Sequence, residues 1–311
     1  MRLTSYRDPV EGECLAVVAG DRALAVGSFW PDGPRTMDAL LGSDALATVD
    51  ELRRIADPER ITREGRPLDE LTILAPVPRP PKIVAVGRNY REHAAEEGVD
   101  PPTSPLLFAK WPSAIVGHGA EIRWDPALTT EVDWEAELGV VIGRRTRHVG
   151  RGEALDAVLG YTCLNDVSAR DIQFPDGQWT RGKSLDTFCP MGPVLVTPDE
   201  LGDPQDLAIR CLVNGEAVQD SRTSQMYFGV AEIIAYCSQA FTLEPGDVIA
   251  TGTPSGVGTF RTPPRYLADG DEVVIEIEGI GRLVNTCRVG PAPAERSRPD
   301  AAAQTPIETR S

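Results

Sequence analysis

The chain has 311 residues, of which 41% are hydrophobic and 25% are charged, and such a composition is typical of a folded globular protein. Lys and Arg total 31 against 47 Asp and Glu, which gives a formal net charge of −16. This charge repels phosphate backbones and anionic membrane surfaces, so we expect neither a nucleic-acid partner nor a membrane partner. Because no apolar run reaches about 18 residues, we also expect no membrane-spanning helix.

Residues 1–75 are predicted to form a small N-terminal α+β domain. Two short strands are expected between Cys14 and Gly27, with a turn at Gly20–Asp21. Apolar residues at helical spacing predict one or two helices from Asp38 to Ile55. The proline-rich stretch Leu71–Pro81 then favours an extended connector.

The main body, residues 76–290, is predicted to be mostly β with minor α. Short apolar strands separated by Gly, Pro and Asp favour a barrel or a rolled sheet over alternating strands and helices. The pair Asn214–Gly215 lies between two apolar stretches and predicts a hairpin, because it accepts positive φ angles. The clearest helix is expected at Val230–Gln239, and residues 291–311 lack apolar periodicity and are predicted to be disordered.

The six cysteines are scattered and form no C-x-x-C pair. This pattern favours reduced, buried thiols. The first nine residues carry charge with no apolar segment behind them, unlike a signal peptide. The sequence therefore predicts a cytoplasmic protein.

Three acidic residues alternate along one predicted strand, at Asp133, Glu135 and Glu137. Alternate side chains share one face of a strand, where adjacent carboxylates repel unless they meet solvent or a cation. An exposed acidic edge and a site for Mg²⁺, Mn²⁺ or Ca²⁺ both remain open. Asp166 ends a later apolar strand, where it is either a third metal ligand or a turn residue. Lys183 lies in a glycine-flanked stretch that contains few charges.

A short helix is predicted after the strand Lys82–Val86. His93 and Glu96 are three residues apart on it, so the carboxylate can orient the imidazole, although an ordinary surface pair has the same spacing. Pro101 and Pro102 follow, and a short, loop-tethered helix suits a lid. The three histidines lack metal-ligand spacing, so no zinc site is expected.

Taken together, these motifs resemble the fumarylacetoacetate hydrolase family, in its acylpyruvate hydrolase and 2-hydroxyhepta-2,4-diene-1,7-dioate isomerase branch. The resemblance spans residues 82–289 and rests on long blocks in family order. These blocks are VGRNYREHAAE, PLLFAKWPSAIVGHG, VDWEAELGVVIG, GYTCLNDVSARDIQ, and GKSLDTFCPMGP with VNGEAVQDSRTSQM and PGDVIATGTPSGVG. It implies a rolled mixed β-sheet or barrel core, a divalent metal, usually Mg²⁺ or Mn²⁺, and a homodimer.

The same resemblance assigns roles residue by residue. It implies that the metal ligands are Glu135, Glu137 and Asp166. It makes His93, Glu96 and Lys183 the catalytic groups, with His93 and Glu96 activating water and Lys183 beside the 2-oxo acid group of the substrate. It places Arg88, Gln173 and Thr253 among the substrate contacts.

The favoured hypothesis is a metal-dependent hydrolase that cleaves a C–C bond in a 2,4-diketo acid of the acylpyruvate type. The same metal–enolate chemistry without attack by water would make the chain an oxaloacetate-type decarboxylase or a 2-hydroxydienedioate isomerase or hydratase. Two hypotheses from other classes are a metal nuclease, disfavoured by the acidity, and a non-catalytic β-rich binding protein.

Overall fold

The computed structural model describes residues 1–291, and most of its regular structure is β-sheet, which confirms the predicted fold class. The strands are β1 (Arg2–Asp8), β2 (Gly12–Ala19), β3 (Arg22–Ala25), β4 (Arg66–Pro67), β5 (Thr72–Ile73), β6 (Ile83–Gly87), β7 (Leu106–Lys110), β8 (Ile115–Val116), β9 (Glu121–Trp124), β10 (Val132–Asp133), β11 (Ala136–Ile142), β12 (Val158–Asn165), β13 (Ser168–Ala169), β14 (Cys189–Val196), β15 (Ala208–Val213), β16 (Glu216–Arg222), β17 (Val248–Ala250), β18 (Glu272–Ile277) and β19 (Gly281–Val289). The α-helices are α1 (Met37–Leu41), α2 (Ala45–Ile55), α3 (Pro58–Glu64), α4 (Arg91–Glu97), α5 (Arg170–Asp176), α6 (Pro198–Leu201) and α7 (Val230–Ala240).

The strands form two main sheets of mixed direction. The larger sheet has the order β4-β3-β2-β1-β14-β12-β11-β17-β6-β7, with β5 paired to β1 and β8 to β14. The smaller sheet has the order β16-β15-β18-β19-β9, and β10 pairs with β13 apart from both. Most neighbouring strands are antiparallel, whereas β17 with β6, β19 with β9 and β14 with β8 are parallel. The predicted mixed sheet is therefore confirmed.

Strand β11 lies at the centre of the larger sheet and is buried along its whole length. Its alternate side chains enter two different hydrophobic cores. Val140 faces the core shared with the smaller sheet and α7, and Val141 faces the core shared with the N-terminal helices. A strand covered on both faces needs apolar side chains at every position, which explains the run Leu138–Ile142.

The N-terminal strands extend the larger sheet rather than forming a sheet of their own. Strand β1 pairs antiparallel with β14, with Arg2 opposite Val196 and Leu3 opposite Leu195. The helices α1 to α3 cover one face of this joint sheet, and Leu40 and Leu52 are fully buried there. The domain boundaries at residues 75 and 290 stay predictions, and residues 292–311 of the predicted tail lie outside the described part of the chain.

Several local predictions agree with the structure. Strands β2 and β3 meet at Gly20, and β15 and β16 form a hairpin in which Asn214 and Gly215 have φ angles of 52° and 80°. The expected helix at residues 230–239 is α7, and the expected helical stretch at residues 38–55 is two helices, α1 and α2. The sequence analysis missed β1 and α3.

The six cysteines are free, and five of them are buried, as the sequence analysis expected. Between residues 1 and 291, no helix combines the length and apolar character needed to cross a membrane.

A buried carboxylate cluster beneath a short helix

The antiparallel pairing of β11 with β12 brings the predicted metal ligands together. Ala136 lies opposite Asn165 in this ladder, so the residues that flank this pair meet at one end of the sheet. The backbone there is fixed by the Asn165 side chain, which accepts from the N–H of Glu135 at 3.0 Å. The N–H of Asp166 in turn donates to the carbonyl of Glu135 at 2.9 Å. The strand register therefore positions Glu135, Glu137 and Asp166.

Glu135, Glu137 and Asp166 form a compact, buried cluster. One carboxylate oxygen from each lies within 4.8 Å of the others. Their relative exposures are 5%, 1% and 0%. The alternative of an exposed acidic edge is therefore wrong, because these three carboxylates lie in the interior.

The Lys183 ammonium lies inside this cluster and neutralises part of its charge. Its Nζ atom donates to Glu135 and Asp166, each at 2.8 Å, and to the Ser168 hydroxyl at 2.9 Å. Burial alone would lower the pKa of Lys183, but the charges of Asp166 and Glu135 more than offset this effect and raise it. Lys183 is therefore a buried cation with its three N–H donors engaged by these acceptors.

A second lysine, Lys110, lies behind Asp166 and was missed by the sequence analysis. It ends β7, is 1% exposed, and donates to Asp166 at 2.5 Å as well as to the carbonyl of Lys183. Asp166 thus binds one lysine through each carboxylate oxygen. The signal in the sequence was a lysine that ends the apolar run Leu106–Ala109, where a solvated side chain is out of place.

Asp133, the first acid of the alternating motif, does not join the cluster. The chain leaves regular strand geometry between β10 and β11, and the Asp133 carboxylate turns to the Gly258 loop, where the Gly258 N–H donates to it at 2.7 Å. Arg170 donates to Asp133 at 2.9 Å and makes an ion pair of 2.8 Å with Glu135. The expectation that all three acids share one strand face was wrong because the strand is interrupted at Trp134 and Glu135.

The carboxylates Glu135 and Glu137 differ in their electrostatic environment. Burial alone would raise the pKa of Glu135, but the charges of Lys183 and Arg170 overcome it and lower that pKa. For Glu137, burial and the nearby charges of Asp166 and Glu135 raise the pKa well above its usual value. Glu137 accepts from the N–H of Gly252 at 2.8 Å and has no ion-pair partner within residues 1–291.

This donor set fits a hard divalent cation. Mg²⁺, Mn²⁺ and Ca²⁺ bind carboxylate oxygens at about 2.0–2.6 Å, a range that three oxygens within 4.8 Å of one another accommodate. Burial, together with the charges of Asp166 and Glu135, raises the pKa of Glu137, so a bound cation would stabilise its carboxylate form. Glu135, Glu137 and Asp166 are the residues that would hold the ion.

The short helix α4 covers the cluster and places His93 over it. Glu96 accepts at 3.1 Å from His93 Nδ1 and at 3.0 Å from the N–H of Gly256, so its carboxylate is fixed from two sides. Glu97 contacts the other ring nitrogen, Nε2, at 3.1 Å. Burial alone would lower the pKa of His93, but its bonds to Glu96 and Glu97 and the charge of Glu135 raise it to about 9.

The predicted substrate-contacting residues line the same pocket. Arg88, Gln173 and Thr253 surround a cavity of about 60 Å³ together with the cluster and His93. Gln173 accepts from Arg170 at 2.9 Å, and the Thr253 hydroxyl accepts from Gln219 at 2.8 Å, so the pocket-lining amide and hydroxyl are both held in place. A larger cleft of about 1070 Å³ lies elsewhere, between the N-terminal strands and residues 115–120, and includes none of these groups.

The structure thus brings every sequence-predicted site residue to one pocket or its immediate border. Glu96 borders the pocket through His93. Asp166 lies beneath it beside Glu135 and Glu137, and the other seven residues line it. The roles assigned to these residues stay predictions. Sequence reasoning missed Glu97, although its spacing of four residues from His93 places it on the same helix face.

Comparison with known proteins gives the family. Residues 82–288 match the family described as "Fumarylacetoacetate (FAA) hydrolase C-terminal". The chain is 45% identical over 290 residues to the human protein named oxaloacetate tautomerase FAHD2A, mitochondrial, which covers 92% of this chain and 91% of that protein. The chain belongs to the fumarylacetoacetate hydrolase family and is an enzyme of that family.

Solved structures agree with this assignment. A putative HpcE protein from Mycobacterium smegmatis is 38% identical, with a TM-score of 0.83 over 94% of this chain and 100% of that one. A maleylpyruvate hydrolase from Sphingobium sp. SYK-6, in complex with manganese(II) and pyruvate, is 31% identical, with a TM-score of 0.76 over the same shares of the two chains. The predicted family is therefore confirmed, whereas a non-catalytic binding protein is not supported.

Proposed function

We propose that this enzyme is a divalent-metal-dependent tautomerase that interconverts the enol and keto forms of oxaloacetate. The observation that carries the proposal is the position of His93, which lines the cavity above the carboxylate cluster with its ring held between Glu96 and Glu97. Two carboxylates around the ring favour the protonated imidazole, which is suited to donate a proton to carbon and poorly suited to abstract one from water. The similarity to proteins named oxaloacetate tautomerases supports the same reaction.

Tautomerisation moves one proton between the enol oxygen and carbon 3 and leaves the carbon skeleton intact. A divalent cation bound by Glu135, Glu137 and Asp166 would supply positive charge that stabilises the enolate form of the 2-oxo acid. Glu96 fixes the His93 ring through Nδ1. His93 then donates a proton from Nε2 to carbon 3 and regains one from the enol hydroxyl.

Lys183 and Arg170 contribute by holding the carboxylates in place. They carry positive charge against Glu135 at 2.8 Å each, which offsets the repulsion between an anionic substrate and the acidic cluster. Phe174 and Phe260 line the pocket beside His93 of helix α4 and make part of its wall apolar. Exclusion of water protects an enolate from side reactions.

The proposal is tested by following the loss of the enol ultraviolet absorbance of oxaloacetate with Mg²⁺, Mn²⁺ or Ca²⁺ present. We expect Glu137→Gln and His93→Asn to lose about 100-fold or more in rate. Glu92→Gln, on the exposed face of the same helix, is the matched control and should keep the wild-type rate. A wild-type chain that leaves the enol unchanged, or a His93→Asn variant at full rate, would contradict the proposal.

A second candidate is the C–C hydrolase of the initial hypothesis. The observation that favours it is the His93–Glu96 dyad, which the Gly256 N–H fixes in the geometry of a general base. Incubation with acetylpyruvate separates the two activities, because hydrolysis gives two fragments in an NMR spectrum. Decarboxylation of oxaloacetate would instead release carbon dioxide and leave pyruvate.

Assembly and location stay proposals as well. We propose a homodimer, as the family resemblance implies, and a cytoplasmic location, which the scattered cysteines favour. The human relative is named as mitochondrial.

A further inference from the structure

One carboxylate of this chain, Glu97, bridges two cations of the pocket. Its Oε2 atom accepts from Arg88 Nε at 2.7 Å, and its Oε1 atom lies 3.1 Å from His93 Nε2. All three side chains line the cavity above the carboxylate cluster. The Glu97 side chain is only 12% exposed, so a negative charge is held inside the pocket by these two groups.

Glu97 differs in this respect from its neighbour Glu96. Glu96 is fastened between His93 Nδ1 and the Gly256 N–H, and it is not among the pocket-lining residues. Glu97 occupies Nε2, the nitrogen through which the proposed proton transfer takes place. A substrate cannot use His93 until the Glu97 carboxylate has moved away from Nε2.

The Arg88 side chain is positioned independently of Glu97. Its guanidinium carbon lies 5.6 Å from the centre of the Trp179 ring, within cation–π range. Trp179 in turn lies against Gly87, where a Cβ atom would approach the ring to 2.3 Å, and its ring centre is 5.3 Å from that of Phe108. Phe108 also contacts Lys183, whose Nζ atom is 5.2 Å from the ring centre.

An aromatic wall formed by Phe108 and Trp179 therefore separates Lys183 at the cluster from Arg88 at the other end of the pocket.

The Arg88 backbone is also unusual, with a φ of 56° in a residue other than glycine. Such conformations persist where the surroundings enforce them and concentrate at functional sites. Here Asn89 enforces it, because its buried amide donates to the carbonyls of Thr251 and Phe228.

We infer that Arg88 selects substrates with a second carboxylate, and that Glu97 occupies the place of that carboxylate when no substrate is bound. The inference rests on the proposed function and assigns recognition of the second carboxylate of the substrate to Arg88, in competition with Glu97. A distal carboxylate can replace Glu97 on Arg88 with the same charge and the same hydrogen-bonding chemistry. A 2-oxo monocarboxylate has no group for this position, so it leaves the Arg88–Glu97–His93 contacts in place.

The test is calorimetric binding of two non-reacting ligands, L-malate and L-lactate, to the full chain loaded with Mn²⁺. The two ligands share a 2-hydroxy acid head group, and only malate carries a second carboxylate. We expect Arg88→Met to weaken malate binding about tenfold or more, because a charged hydrogen bond is lost. The same variant should change lactate binding less than about threefold. Arg88→Lys, which retains a point charge, should recover part of the malate affinity.

The reciprocal variant is Glu97→Gln, which removes the competing charge and keeps the shape of the side chain. We expect malate to bind about threefold more tightly and lactate to be unaffected. Glu92→Gln is the control on the same helix and should change neither affinity. Equal weakening of malate and lactate in Arg88→Met, or weaker malate binding in Glu97→Gln, would overturn the inference.

These outcomes are separable from those of the proposed function, because binding requires no turnover. If the malate and lactate affinities change as expected but enol-oxaloacetate is not converted, the proposed function fails and the inference stands. If the enol is converted while Arg88→Met keeps the wild-type ratio of the two affinities, the inference fails and the function stands.

Discussion

At the residue scale, the site is defined by an imbalance of buried charge. Asp133 is neutralised by Arg170, and Asp166 by Lys110 and Lys183. Among residues 1–291, Glu137 bonds only to a backbone N–H, and burial together with the neighbouring carboxylates raises its pKa. Both effects favour the protonated form of Glu137.

This imbalance makes metal affinity depend on pH. A carboxyl with a raised pKa holds its proton to a higher pH than a free carboxyl does, and that proton must leave before the oxygen binds a cation. We therefore expect the Mn²⁺ affinity, measured by calorimetry, to rise with pH by up to about tenfold per unit while one proton is released per ion. The affinity falls as the pH is lowered, because protons then compete for Glu137.

Two variants identify the titrating group. Glu137→Gln should bind Mn²⁺ weakly and with little dependence on pH. His93→Asn removes another group near the cluster whose pKa is raised, and it should retain the wild-type slope. A wild-type affinity that is flat between pH 6 and 8 would contradict the assignment of the proton to Glu137.

At the element scale, the junction between β6 and α4 determines where the pocket residues lie. Asn89 is fully buried at this junction. Its side-chain amide donates to Thr251 at 2.7 Å and to Phe228 at 3.0 Å, and its side-chain carbonyl accepts from the Phe228 N–H at 2.9 Å. These bonds attach the start of α4 to the end of β17 and to the segment before α7.

We expect Asn89→Ala to lower both stability and substrate binding. Its buried partners would lose their hydrogen bonds, at about 1–3 kcal/mol of unfolding free energy, and Arg88 and His93 would lose their fixed positions. Asn285→Ala is the matched control, because Asn285 is equally buried and bonds two carbonyls far from the pocket. Denaturant unfolding should show similar losses for both variants, with a raised KM for oxaloacetate in Asn89→Ala alone. Unchanged KM in both would contradict the positioning role.

The elements that sequence analysis predicted are those specified by local patterns. The Asn214–Gly215 turn and the apolar face of α7 depend on residues close in sequence, so they could be predicted. The clustering of Glu135, Glu137 and Asp166 was available only through family resemblance, because spacing alone did not decide between an exposed edge and a cation site. The structure confirms their proximity, not yet their role.

What the sequence analysis missed depends on contacts between distant segments. Lys110 contacts Asp166, which lies 56 positions further along the chain, and the apolar residues before Lys110 did not indicate where its side chain points. Asp133 leaves the cluster because Arg170 and the Gly258 loop compete for it, and both lie far along the chain. The β1–β14 pairing likewise joins residues 194 positions apart, beyond the reach of any periodicity argument.

At the scale of the whole molecule, the formal net charge of −16 opposes the approach of an anionic substrate. The cations that favour binding are buried or paired, as Lys183 and Arg88 are, so their fields act at short range. Long-range repulsion between exposed charges is screened by salt, with a Debye length of about 30 Å at 0.01 M and about 8 Å at 0.15 M. Salt therefore weakens the repulsion more than it weakens the binding.

We expect kcat/KM for enol-oxaloacetate, a dianion, to increase a few-fold as the ionic strength is raised from about 0.01 M to about 0.15 M. A monoanionic enol such as that of phenylpyruvate is the control and should show a smaller increase wherever it is turned over, because the repulsion scales with substrate charge. The measurement is initial rate against sodium chloride at fixed Mn²⁺. A kcat/KM that falls with salt would mean that local cations steer the substrate despite the acidic surface, contrary to this expectation.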